Sequence, residues 1–217
     1  MKTTNLILFF ACAVFFAFST ETKAQTKTIN LFNGENLEGW GFVVKDTTVD
    51  PNDVFRVKNG LITISGEPFG YMYTEQKFTN FHLHVEWRWP IEGTNSGIFL
   101  YVQDDKTVWP NTVECQLQAG NAGDFVKLGN TEIKEFVSGG GQQRPEFPKK
   151  REASSENPIG EWNVADITSE NGVLTIYING VFQNKGISTE YTSGRIALQS
   201  EGKDIQFRNV RVTPVEN

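Results

Sequence analysis

Four stretches of this sequence carry ionisable or amide side chains on one alternating parity, with apolar residues between them. They are His84/Glu86/Arg88, Glu114/Gln116/Gln118, Glu161/Asn163 and Arg195/Gln199/Glu201. Asn95, in the run Asn95-Ser96-Gly97, adds a further amide. Planar polar groups of this kind offer paired hydrogen bonds to sugar hydroxyls, and nearby Trp and Tyr can cover apolar sugar faces. Carboxylates crowded on one surface also shift one another's pKa values, which is how a carboxylate becomes a general base or acid.

The elements that must position these groups read as strands. Phe81–Pro90 separates Leu83, Val85, Trp87 and Trp89 from His82, His84, Glu86 and Arg88, the signature of a strand with one face in a core. Ser96–Val102 is a nearly continuous apolar run, and Thr112–Gln118 alternates again. Glu161–Ile167, Gly194–Ser200 and Ile205–Val212 follow the same pattern. Lys58-Asn59-Gly60 lies between Val54–Val57 and Leu61–Ile64, and Asn179-Gly180 between Val173–Ile178 and Val181-Phe182; Asn-Gly between such runs is a hairpin signal. About a dozen strands and no amphipathic helix predict an all-β antiparallel sandwich or jelly roll. If the four polar strands were neighbours, they would line one concave sheet face. The Gly-, Pro- and charge-rich stretch 119–160 has no clear period and reads as a long functional loop.

Composition narrows the classes. Lys2, the apolar run Leu6–Phe18 and Thr22-Lys23-Ala24 read as an export signal over residues 1–24, leaving one domain over 25–217. The apolar run is short for a membrane span, and Phe-Phe-Ala-Cys12 is a poor lipid-attachment signal. An exported chain of this kind is expected in the periplasm, on the cell surface or in the medium. Cys115 is the one cysteine after that segment and, between Val113 and Leu117, reads as buried. A formal net charge of −6 without a basic run disfavours nucleic acid and anionic membranes as partners.

Several chemistries lack their signatures. Gly-x-Ser-x-Gly is absent, Ser96 has no spaced base, and Gly139-Gly140-Gly141 has no Lys-Ser/Thr after it. His82 and His84 could both ligate a metal, but local spacing supplies no third ligand. The closely spaced carboxylates of a glucanase strand, Glu-x-Asp-x-x-Glu, are also missing. A Glu–Arg pair on a strand face is, by itself, most often a surface ion pair.

Leu31-Phe32-Asn33-Gly34 with Trp40, Phe81–Arg88, Asn95-Ser96-Gly97, Glu114-x-Gln116, Gly160–Asn163, Asn179-Gly180, Gly194–Gly202 and Phe207–Val210 together resemble the 3-keto-disaccharide (3-keto-glycoside) hydrolase family. The resemblance implies a concanavalin-A-like jelly roll that cleaves glycosides already oxidised to a ketone at C3. A C3 ketone acidifies the C2 proton, so a base can remove it and the leaving group departs from C1, with water added afterwards. On strand parity, Glu86 or His84 is the expected base, Arg88 the enolate stabiliser, and Glu161 or Glu201 the acid. Glu114, Gln116, Asn163, Gln199 and Asn95 are the expected hydroxyl-binding groups. A divalent cation in place of Arg88 stays open, as do a non-catalytic glycan-binding module and a conventional glucanase-like hydrolase.

Overall fold

The computed structural model describes residues 27–135 and 153–216. The export signal expected at 1–24, with Cys12, and the glycine run 139–141 lie outside the described residues. In chain order the strands are β1 (Ile29–Asn30), β2 (Trp40–Val44), β3 (Phe55–Lys58), β4 (Leu61–Ile64), β5 (Gly70–Thr74), β6 (Phe81–Arg88) and β7 (Gly97–Val102). They continue as β8 (Thr112–Gln116), β9 (Phe125–Leu128), β10 (Asn163–Glu170), β11 (Val173–Ile178), β12 (Val181–Ile187), β13 (Arg195–Ser200) and β14 (Ile205–Pro214). Among the described residues a single short helix, α1 (Pro51–Val54), is capped by Asp50, whose side chain accepts from Asn52 N.

Two antiparallel sheets form a sandwich. Sheet A runs β12-β11-β10-β6-β14-β4-β3, with β1 beside β14; sheet B runs β2-β5-β13-β7-β8-β9. The two Asn-Gly turns close hairpins as expected: Asn59, Gly60, Asn179 and Gly180 all have positive φ, between 51° and 77°. That conformation suits two-residue turns between twisted strands and is tolerated best by Asn and Gly.

Between the sheets lie Leu83, Val85 and Trp87 of β6, Ala165 and Ile167 of β10, and Phe207 and Val212 of β14. Met72, Ile98, Leu100, Val113, Cys115 and Leu198 face them from sheet B. Trp87 and Trp89 are buried and meet edge-to-face at 6.1 Å, so the tryptophans of the Phe81–Pro90 stretch do anchor it from behind. Cys115 is likewise buried, and burial raises its thiol pKa. Sheet B carries a second, smaller apolar cluster on its other face: Tyr71, Phe99, Val102 and Ala197, with Val43, Tyr73 and Leu128 against it. That second cluster marks the outer face of sheet B as unusual. An outer face need not bury aromatic residues unless something is built over it.

Candidate functional site

The four polar strands do not share a sheet, which corrects the expectation of a single concave face. β6 pairs with β10 and β14, whereas β8 and β13 both pair with β7. Side chains opposite in parity to the common core leave each sheet on its outer side. His84, Glu86 and Arg88 therefore face away from sheet A, and Glu114, Gln116, Gln199 and Glu201 face away from sheet B. The sandwich core separates the two sets.

On sheet A most of the charged groups pair with one another, although the buried His84 Nε2 has no hydrogen-bond partner. Arg208 lies opposite Glu86 in the register, and its Nε donates to Glu86 Oε2 at 2.6 Å. Asn209 Nδ2 donates to Glu86 Oε1 at 2.6 Å. Desolvation pushes the Glu86 carboxyl up, but the hydrogen bonds from Asn209 and Arg208, the Arg208 charge and His84 together outweigh it and hold the pKa below its ordinary value. His84 Nδ1 lies 2.7 Å from Asp166 Oδ1, and His84 Nε2 lies 3.6 Å from Glu86 Oε1. Arg88 Nε donates to Gln206 Oε1 at 2.9 Å, and the guanidinium carbons of Arg88 and Arg208 lie 4.7 and 3.9 Å from the Trp162 ring centre. A shallow hollow of about 200 Å³ opens among His82, His84, Asp166, Thr168, Arg211 and Thr213. His82 is more exposed and approaches Glu170 at 3.8 Å, so the two histidines do not converge on one point. Among the described residues, no group of three or more His, Cys, Asp or Glu is placed to hold a metal ion.

Glu161 and Asn163 belong to neither array. Glu161 is exposed in the turn before β10. Asn163 has the parity of Ala165 and Ile167 and is buried; its Oδ1 accepts from Asn157 N at 2.7 Å and Asn179 Nδ2 at 2.8 Å. Asn179 Oδ1 in turn accepts from Val164 N. These bonds tie the segment before β10 to the β11–β12 turn, so Asn163 is a structural clamp and not a hydroxyl-binding group.

On sheet B, several buried polar atoms that lie close together in the register lack partners. Phe99 pairs with Glu114 and Gly97 with Gln116 across β7 and β8, while Ala197 pairs with Phe99 across β13 and β7. Asn95 bridges to Glu201. Gly97 thus lies in a frame of Asn95, Gln199, Gln116 and Glu114, and its missing side chain leaves a gap. The Glu114 carboxyl fills that gap: a Cβ on residue 97 would come within 2.1 Å of Glu114 Oε1. Glu114 is 3 % exposed and Gln199 1 %. Buried Oε1 atoms of both, Oδ1 of Asn95 and Nε of Arg195 have no hydrogen-bond partner. Unpaired buried polar atoms are costly and uncommon, and here three oxygens belong to residues that flank one glycine in the register. Gln199 Nε2 donates to Glu201 Oε2 at 2.8 Å, which aims its free carbonyl oxygen away from Glu201. Gln116 Oε1 accepts from Leu117 N and Gln118 N, both at 3.0 Å, and so secures the chain leaving β8.

Burial pushes the Glu114 carboxyl well above the usual carboxylate range, and the nearby Glu201 charge adds to it. The Arg195 guanidinium carbon lies 5.1 Å from the Tyr73 ring centre, so Arg195 reaches toward the row of Tyr73 and Ala197. Tyr71 OH donates to the carbonyls of Asp104 and Thr107, and Tyr73 OH to Asp105 Oδ2 at 2.7 Å. These bonds hold the segment 103–111 over the sheet. Burial and the Asp105 carboxylate push the Tyr73 pKa up to about 12, so its hydroxyl stays a donor. Tyr71, Tyr73 and Gly97 were not singled out from sequence. The signal that could have found them is an aromatic parity in Tyr71-Met72-Tyr73 opposite to the core-facing Met72.

The profile of a family described as a 3-keto-alpha-glucoside-1,2-lyase-like domain matches residues 27–213. A protein of Bacteroides thetaiotaomicron named 3-keto-disaccharide hydrolase is 24% identical over 233 residues, covering 85% of this chain and 77% of its own. Among solved structures, a Parabacteroides distasonis protein described as a candidate glycosyl hydrolase superposes with a TM-score of 0.64 at 20% identity, covering 87% of this chain and 94% of that one. The Bacillus licheniformis beta-glucanase superposes at 0.54 with 10% identity, over 88% of this chain and 98% of its own. At such identities the structural likeness speaks for the jelly-roll fold alone.

Proposed function

We propose, for a chain that belongs to the 3-keto-alpha-glucoside-1,2-lyase-like family, that it cleaves glycosides oxidised at C3 and does so on the outer face of sheet B. The observation that carries this reading is the buried, unpaired carboxyl of Glu114 over Gly97, with the free acceptors of Asn95 and Gln199 beside it. Sugar hydroxyls are donors of the kind those acceptors lack. A carboxyl held protonated by burial can divide acid and base work with a more accessible carboxylate beside it. Glu201 is the more accessible and acts as the base; Glu114, kept protonated by burial, acts as the acid.

In this scheme Glu201 takes the C2 proton, and the electron pair passes into a C2=C3 enolate whose oxygen faces the Arg195 guanidinium. The pair then restores the C3 carbonyl and forms C1=C2 while the C1–O bond breaks. The Glu114 proton goes to the departing oxygen. Water adds at C1 and a proton returns to C2, so the sum is 3-keto glycoside plus water giving 3-keto sugar plus alcohol. Placing charge-stabilising and proton-donating groups in a dry site raises the worth of each.

The test is to incubate the protein with a glucoside, its 3-keto form and a polysaccharide. Leaving-group release from the 3-keto form alone supports the reading. Cleavage of the unoxidised glucoside, or binding without turnover, sinks it. In deuterated water, Glu201→Gln is expected to stop exchange at C2, whereas Glu114→Gln keeps exchange but loses release.

A further inference from the structure

Trp109 stands apart from the buried tryptophans of this chain. The residue is 52 % exposed, whereas Trp40, Trp87 and Trp89 are 5 % or less. The exposure is not that of a loose loop tip. Trp109 packs on Phe69 with ring centres 4.4 Å apart and planes tilted by 32°. Its backbone N–H donates to Thr107 Oγ1, and the same segment is fastened to sheet B by the Tyr71 and Tyr73 hydroxyls through Asp104, Thr107 and Asp105. A large apolar ring is thus braced from below and left bare above.

Its position follows from the register. Gly70 of β5 pairs with Ser200 of β13, so Phe69 and Glu201 are the next residues along the two strands. Glu201 bridges in turn to Asn95. The Phe69–Trp109 pair therefore stands at the Asn95–Glu201 end of the frame around Gly97, on the same outer face. A group leaving from C1 needs a surface just beyond the sugar-binding groups. A rigid indole already held in place offers one at little ordering cost.

Resting on the function proposed above, we infer that Trp109 is a specificity-determining platform for the leaving group. It selects 3-keto glycosides whose leaving group presents a flat apolar face, as an aryl ring or the face of a pyranose does. Small alkyl leaving groups gain nothing from it.

The experiment compares 3-keto glucosides with p-nitrophenyl, glucosyl and methyl leaving groups on wild type, Trp109→Ala and Trp109→Phe. Calorimetric binding of the same compounds to Glu114→Gln and Glu114→Gln/Trp109→Ala is measured alongside. Expected is an about tenfold rise in KM and Kd for a flat leaving group on loss of the indole, with the methyl compound unchanged and Trp109→Phe largely retaining the preference. A loss confined to the aryl or to the glucosyl compound supports the platform and says which source it serves. Equal weakening of the methyl compound, or no change for any of them, overturns it. A wild type that releases no leaving group from any compound overturns the proposed reaction instead, and the binding ratios then still decide the role of Trp109.

Discussion

The carboxyl of Glu114 occupies the space that a side chain at residue 97 would need: Glu114 Oε1 lies 2.1 Å from where a Cβ on Gly97 would be. The glycine is therefore a condition of the site and not only of the strand. Its neighbours across the sheet, Gln116 and the Gln199 row, carry amides.

Gly97→Ala is expected to fold, because the obstructing atoms belong to a side chain, at a cost of about 1–3 kcal/mol for the overpacking. The displaced Glu114 carboxyl should leave the variant with little leaving-group release. Chemical denaturation together with a release assay checks both parts. Full activity in Gly97→Ala would mean that Glu114 does not act from over residue 97.

Glu114 should also shape stability against pH. Its folded pKa is raised above the ordinary 4.5, so the folded chain holds a proton that the unfolded chain releases. Its contribution is fully present below about pH 4.5 and is lost as the pH rises through the folded value. Glu114→Gln keeps the shape without the charge, so its Tm should match wild type near pH 4 and exceed it increasingly at neutral and alkaline pH. Melting curves across that range check it; a variant less stable than wild type at pH 8 would contradict the assignment of burial as the cause.

Glu86 should behave in the opposite sense. Its folded pKa is lowered, so the stability it supplies is present above about 4.5 and is lost as the pH falls through the folded value. Glu86→Gln breaks a pair of charge-assisted bonds to Arg208 and Asn209 and is expected to cost about 1.5–3 kcal/mol near neutral pH. The gap from wild type should close in acid. Denaturant titrations at pH 7 and pH 3 measure it.

Most of the fold was legible because its signals are local. Alternation in Phe81–Arg88, the left-handed Asn-Gly turns at 59–60 and 179–180, and the apolar run Gly97–Val102 each report on a few neighbouring residues. The site was only half legible, because parity says which side of its own sheet a residue leaves and not which sheet it is in. His84 and Gln199 have the same kind of pattern, yet β6 pairs with β10 and β14 while β13 pairs with β5 and β7. Those pairings are set by contacts distant in sequence. Asn163 failed for another reason: an amide on the inward parity is acceptable when Asn157 and Asn179 satisfy it. Glu114 was read as a hydroxyl-binding group and its burial went unseen, because nothing local shows that aromatic residues of β5 and β7 surround the same face.

The central claim is that proton transfer belongs to sheet B and not to the charged array on sheet A. The most direct measurement is release of p-nitrophenol from its 3-keto glucoside by Glu114→Gln and Glu86→Gln, side by side and both verified as folded. The account predicts that Glu114→Gln loses about 100-fold or more in kcat while Glu86→Gln stays within about threefold of wild type. Loss of turnover in Glu86→Gln with near-normal rates in Glu114→Gln would contradict it.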